Sequence, residues 1–142
     1  MRHLKTSKVI FSVYNGNRSE KENGAQHEKV KRRLDLLEAA YTEVIGSYKG
    51  EIEKGFLFQS TDIARFLNAL FLAFNYAKEN GQESVLTVNS DDTATLVFID
   101  ANEGDDEAIR REKIGVFKRF HGDLSALPDS WTKIGEDYYV VE

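Results

Sequence analysis

The residues best suited to chemistry bracket one stretch, Tyr48 to Asp62, where an extended segment runs into an amphipathic helix. Gln59, Ser60, Thr61 and Asp62 bring a carboxamide, two hydroxyls and a carboxylate to that junction, enough acceptors to hold the donors of a small molecule. The same groups also suit a helix start. A hydroxyl accepts a hydrogen bond from a free first-turn amide, and an early aspartate complements the positive end of the dipole. Ser60 or Thr61 is therefore the expected cap, which leaves Gln59 as the candidate site residue. Tyr48 opens the stretch, and Glu51 and Glu53 read as the exposed face of a strand.

What is missing narrows the chemistry. The chain has no cysteine, so thiol catalysis, thiolate zinc and disulfides are excluded together. His3, His27 and His121 are far apart and lack ligand spacing, so no metal is expected. There is no nucleophile elbow, no P-loop and no glycine-rich dinucleotide fingerprint. The net charge of −5 and the absence of a basic stretch interleaved with aromatics argue against nucleic acid. The densest basic run, Lys29 to Arg33, reads as a solvated helix face. Met1 to Lys8 is polar with no apolar run after it, and the longest apolar run is broken by Asn68 and Asn75. Neither signal peptide nor membrane span is expected, and the protein reads as cytoplasmic. Its 142 residues suit one domain, 1–142.

The elements that must position these residues follow from periodicity. Lys8 to Tyr14 is β-branched and aromatic, a first strand. The polar stretch Asn15 to His27 is either a lid or disordered. From Glu28 a helical stripe runs through Val30, Leu34, Leu37, Tyr41, Val44 and Ile45 and ends at Gly46. Tyr48–Ile52 and Gly55–Phe58 are either a hairpin with Gly55 at positive φ or one bent strand. A second helix buries Ile63, Phe66, Leu67, Leu70, Phe71, Phe74 and Ala77, and Asn80-Gly81 closes it. Ser84–Asn89 and Thr93–Ile99 are strands, Ala101–Glu107 is a solvated acidic loop, and Ile109–Phe120 and Trp131–Val141 are further strands. Two helices over a largely antiparallel sheet give an α+β sandwich, a ferredoxin-like βαββαβ plan with extra C-terminal strands.

The polar loop with Arg18-Ser19, the Ile45-Gly46-Ser47 segment, Gly55-Phe56-Leu57-Phe58-Gln59, the Thr95-Leu96-Val97-Phe98 strand and the aromatic C-terminal strand together resemble the bacteriophage S-adenosylmethionine-degrading enzymes. The resemblance spans most of the chain as order and spacing. It implies a PII-like sandwich assembled as a homotrimer with sites between subunits, in the cytoplasm of an infected bacterium. It implies cleavage of S-adenosylmethionine, without a cofactor, to methylthioadenosine and homoserine lactone, as a defence against host restriction. In that family a tyrosine and a carboxylate eleven residues on carry the site. Tyr48 and Gln59 have that spacing, with glutamine in place of the usual glutamate. Phe58 would stack on adenine, and Arg18 and Ser19 would meet the substrate carboxylate. The alternatives are a non-catalytic PII-like trimeric sensor of a nucleotide or S-adenosylmethionine, and a small phage inhibitor of a host enzyme.

Overall fold

The structure, a computed structural model, describes residues 5–48, 50–99 and 110–142. In chain order they form β1 (Ser7–Phe11), α1 (Glu20–Leu36), β2 (Thr42–Tyr48), β3 (Glu51–Ser60), α2 (Ile63–Glu79), β4 (Ser84–Val88), β5 (Thr93–Phe98), β6 (Arg111–Arg119), β7 (Trp131–Ile134) and β8 (Asp137–Val141). The acidic loop Ala101–Glu107 and the start of the strand expected at Ile109 lie outside the described residues.

The strands close into an antiparallel barrel in the order β1-β3-β2-β7-β8-β6-β5-β4, with β4 returning to β1. This overturns the ferredoxin-like or PII-like sandwich. The first six elements do run βαββαβ, but an open sheet of that kind would leave β2 and β4 as unpaired edges. The C-terminal strands remove both: β5 forms a hairpin with β4, β7 pairs with β2, and β6 and β8 join them. Trp131–Val141 is accordingly two strands, turning at Gly135 with φ 63.

Both helices lie outside the barrel. Val9, Phe11 and Val13 from β1 and its continuation, Phe56 and Phe58 from β3, and Val85 from β4 meet Val30 and Leu34 of α1 and Ala73, Tyr76 and Ala77 of α2. The alternate residues face inward, where Ile10, Leu86, Val88, Ala94, Phe117, Ile134, Tyr139 and Val141 pack together. Two-residue alternation therefore separates a helix-covered core from a lumen.

The helix ends differ from expectation in instructive ways. Ser19 caps α1 through a capping box: its hydroxyl accepts from the Glu22 amide at 3.1 Å, and the Glu22 carboxylate accepts from the Ser19 amide at 3.1 Å. The polar stretch expected as lid or disorder is thus partly helix. Asn15, Asn23, Arg18 and Asn80 bind it to the end of α2, with Arg18 Nη1 donating to Asn80 Oδ1 at 3.0 Å and to the Val13 carbonyl at 3.2 Å. At the other end Glu38 takes φ 55, and the Ala39 amide donates to the Leu34 carbonyl at 3.0 Å, closing a Schellman turn well before Gly46. Val44 and Ile45 belong to β2 instead.

α2 is capped by Asp62, one or two residues later than the expected Ser60 or Thr61. Asp62 accepts from the Arg65 amide at 3.1 Å, and Ser60 accepts from the Asp62 amide at 3.0 Å. Its buried face is also rotated: Phe66 and Leu70 pack on the core with Ala73, Tyr76 and Ala77, whereas Ile63, Leu67 and Phe71 are exposed. Gly55 is not the hairpin turn; Gly50 is, with φ 86. Gly55 pairs with Val44 in β3, where an added Cβ would stand 2.6 Å from the Phe11 carbonyl oxygen.

Candidate active site

At one end the lumen opens into a cavity of about 290 Å³, close to the lower bound for small-molecule sites. Its apolar wall comes from Ile10, Leu86, Leu96, Ile114, Phe117, Tyr139 and Val141. Its polar rim comes from the β2–β3 hairpin and neighbouring strands: Tyr48, Glu51, Glu53, Ser12, Ser84 and Thr132. The hairpin register explains why these residues meet. Tyr48 pairs with Glu51 and Gly46 with Glu53, so residues 46, 48, 51 and 53 share one face.

Glu53 is the most perturbed carboxylate of the rim. Burial raises its pKa above the ordinary value, the Ser12 hydroxyl pulls it down, and the negative charge of Glu51 pushes it up again. That hydroxyl has one proton to share between Glu53 and the Lys54 carbonyl, which it reaches at 2.9 Å. Tyr48 is 64 % exposed at the outer edge. The cavity thus joins an apolar interior to a mouth where two carboxylates and aromatic rings stand with Lys54, a combination that can take a cation carrying an apolar body.

The residues expected from sequence are not gathered in one chain. Tyr48 lines the cavity, but Gln59 pairs with Lys8 near the other end of β3. Eight residues separate it from Glu51, the partner of Tyr48, or roughly 26 Å at the rise of a strand. There Gln59 accepts from the Thr6 hydroxyl at 3.2 Å. Its neighbour Lys8 lines a second hollow of about 380 Å³ with Asp92, Arg119 and His121. Phe58 is 3 % exposed and packs its ring 5.2 Å from Phe11 on the helix side, away from the cavity. Arg18 and Ser19 are committed to the α1 cap and its tie to α2. Glu51 and Glu53, expected on an exposed face, are the carboxylates that accompany Tyr48. The signal that finds them is the turn: once Gly50 is the bend, parity puts both beside Tyr48.

A second titratable group lies under α1. His27 is 1 % exposed, stacks on Phe56 at 4.3 Å, and contacts Glu43 Oε1 at 2.9 Å through Nε2. Lys31 reaches the other oxygen of Glu43 at 3.3 Å. These partners, His27 first, lower the Glu43 pKa. Ligand atoms of His27, Glu28 and Glu43 lie within 4.8 Å of one another, a grouping the sequence does not announce. With Lys31 already neutralising Glu43, it reads as an ion pair fastening α1 to β2.

The S-adenosylmethionine lyase family profile matches residues 9–142, from β1 through β8. The chain belongs to the S-adenosylmethionine lyase family. It is therefore an enzyme, a lyase acting on S-adenosylmethionine, rather than the sensor or inhibitor weighed from sequence. No curated protein matches it. Among the described residues no helix is long and apolar enough to cross a membrane.

Proposed function

We propose that this lyase converts S-adenosylmethionine to methylthioadenosine and homoserine lactone at the mouth of the barrel lumen. The observation that carries the site is the shared cavity face of Tyr48, Glu51 and Glu53 above an apolar wall. The substrate carboxylate oxygen attacks its own Cγ as the Cγ–S bond breaks, and the bonding pair stays on sulfur. The products are a neutral thioether and a five-membered lactone that keeps its ammonium. No water and no proton transfer enter the bond-breaking step, so the site needs no general base.

Two physical effects serve that step. Holding the methionine tail folded, with oxygen near Cγ, replaces a costly conformational search and can supply roughly 7–11 kcal/mol at best. Ring closure also joins a carboxylate to a sulfonium, so charge disappears in the transition state, and an apolar wall favours the less charged species. In this reading Glu51 and Glu53 hold the ammonium, while the Tyr48 ring faces the sulfonium.

The assembly in this proposal is the homotrimer that the resemblance implies, working in the cytoplasm of an infected bacterium as defence against restriction. The exposed rim supports a neighbour there, since Tyr48 is 64 % and Ile52 65 % exposed. Gln59 reaches a Tyr48 mouth only from another copy. Product analysis tests the reaction. Lactone and methylthioadenosine in equal amounts at the earliest times are expected. Homoserine appearing first, carrying oxygen from labelled water, would replace the lyase step with hydrolysis.

A further inference from the structure

The β2–β3 hairpin carries Tyr48 and Glu51 at its tip, just past the ladder that ties it to the next strand. β2 pairs with β7 from Ile45–Lys133 to Ser47–Trp131, and the register stops there, one residue short of Tyr48. A hairpin end without tertiary anchoring is only marginally ordered. Here the Asp129 carbonyl takes over from the ladder. The Ser47 hydroxyl donates to it at 2.8 Å and the Gly50 amide at 3.4 Å. One oxygen therefore holds both the strand before Tyr48 and the bend after it. The acceptor is itself held in place. Asp123 caps a short 3-10 turn, Leu124–Ala126, accepting from the Ser125 amide at 3.0 Å, and Pro128 fixes the backbone just before Asp129.

We propose that Ser47 is a positioning residue for S-adenosylmethionine, latching the hairpin tip to the segment 129–132 and so setting the width of the cavity mouth. The latch joins the two sides of that mouth, Tyr48 and Glu51 on the hairpin and Ser130, Trp131 and Thr132 opposite. Ser47 borders the cavity, but strand alternation turns its side chain to the other face, beside Ile52 and Trp131. It is buried there, away from the face that Tyr48 and Glu51 present to the lumen. Its hydroxyl thus acts through those two residues. Without it, the Asp129 carbonyl is left with the longer bond from Gly50. The inference rests on the lumen-mouth site proposed above and adds to it a group that does not touch the substrate.

Steady-state kinetics on three chains test the latch. Ser47→Ala is expected to raise KM for S-adenosylmethionine about three- to tenfold, the net contribution of one hydrogen bond. kcat should stay within about twofold, because Tyr48 and Glu51 hold the substrate in ground and transition states alike. Ser47→Thr keeps the hydroxyl and should bring KM back toward wild type. The deciding measurement does not depend on whether threonine fits. In a chain already carrying Tyr48→Leu and Glu51→Gln, adding Ser47→Ala should raise KM by less than about twofold, since the groups it positions are gone. An equal factor in both backgrounds would assign Ser47 to the fold alone and overturn the proposal. So would a lowered Tm with KM unchanged in the otherwise wild-type chain. The underlying site fails separately: if Tyr48→Leu with Glu51→Gln leaves KM unaltered, the substrate is not at this mouth and the latch has nothing to position.

Discussion

Replacing Glu53 by glutamine tests the lumen site most directly, because it removes one charge and keeps shape and hydrogen-bonding capacity. A carboxylate about 4 Å from a cation is worth about 4 kcal/mol at an effective dielectric near 20. Desolvation of the half-buried Glu53 side chain consumes part of this, and hydrogen bonds to charged groups net about 1.5–3 kcal/mol. Glu53→Gln is therefore expected to lower kcat/KM for methylthioadenosine formation by roughly 10- to 100-fold, largely through KM if Glu53 holds the ammonium in ground and transition states alike. Fold stability should move the other way. Burial raises the Glu53 pKa, so the stability tied to it is present below the ordinary carboxylate range and is lost as pH rises through the folded value. At pH 7 the variant should melt at or above the wild-type temperature, with any gain vanishing as the pH falls toward 4. Lost activity in a protein at least as stable cannot be ascribed to misfolding. Gln59→Ala is the counter-experiment. A change below threefold for Glu53→Gln with a collapse for Gln59→Ala would refute the lumen site.

Three further substitutions probe what holds the site in place. Glu43→Ala leaves His27 Nε2 buried without its acceptor and should cost about 1–3 kcal/mol by denaturant melts. Because partners lower the Glu43 pKa, its stabilisation is present above the ordinary carboxylate range, and the gap from wild type should narrow as pH falls below about 4. Gly55→Ala drives a Cβ to 2.6 Å from the Phe11 carbonyl, so β1 and β3 must part there. A loss of about 1–3 kcal/mol is expected, with activity reduced because Glu53 is two residues away. Ser19→Ala removes the α1 cap and should cost about 1 kcal/mol, a few degrees in Tm, with kcat/KM unaltered; a tenfold fall in kcat/KM would instead return Ser19 to the substrate.

Local chemistry made much of the chain legible. β4 and β5 lie within a residue of their expected bounds, and the body of α2 is where its periodicity puts it. Barrel closure was not legible, because it depends on which edges find each other. β7 pairs with β2 across more than eighty residues of sequence, and no local pattern encodes such a contact. The first helix misled for a different reason. Val30 and Leu34 do face the core, but Tyr41, Val44 and Ile45 happen to extend the same three- and four-residue rhythm. Only the left-handed turn at Glu38, a residue not usually found there, marks the true end.

The site turned on register rather than residue type. An eleven-residue spacing from Tyr48 selects Gln59 when counted along the chain. A hairpin turned at Gly50 measures distance from the bend, and from there Gln59 is at the far end of β3. Both glutamine and glutamates lie on odd positions of β3 and so face the same way, which is why parity alone does not separate them. Depth separates them. Toward the bend, the odd positions meet Tyr48 and the cavity mouth; toward Ser60 they meet Lys8 and the opposite hollow. One chain therefore offers Tyr48 a carboxylate, and only a second chain offers it Gln59. Mixing Glu53→Gln with Gln59→Ala chains resolves this. Recovery of activity above either alone requires sites completed by neighbours, whereas a strictly additive mixture confines the chemistry to one lumen.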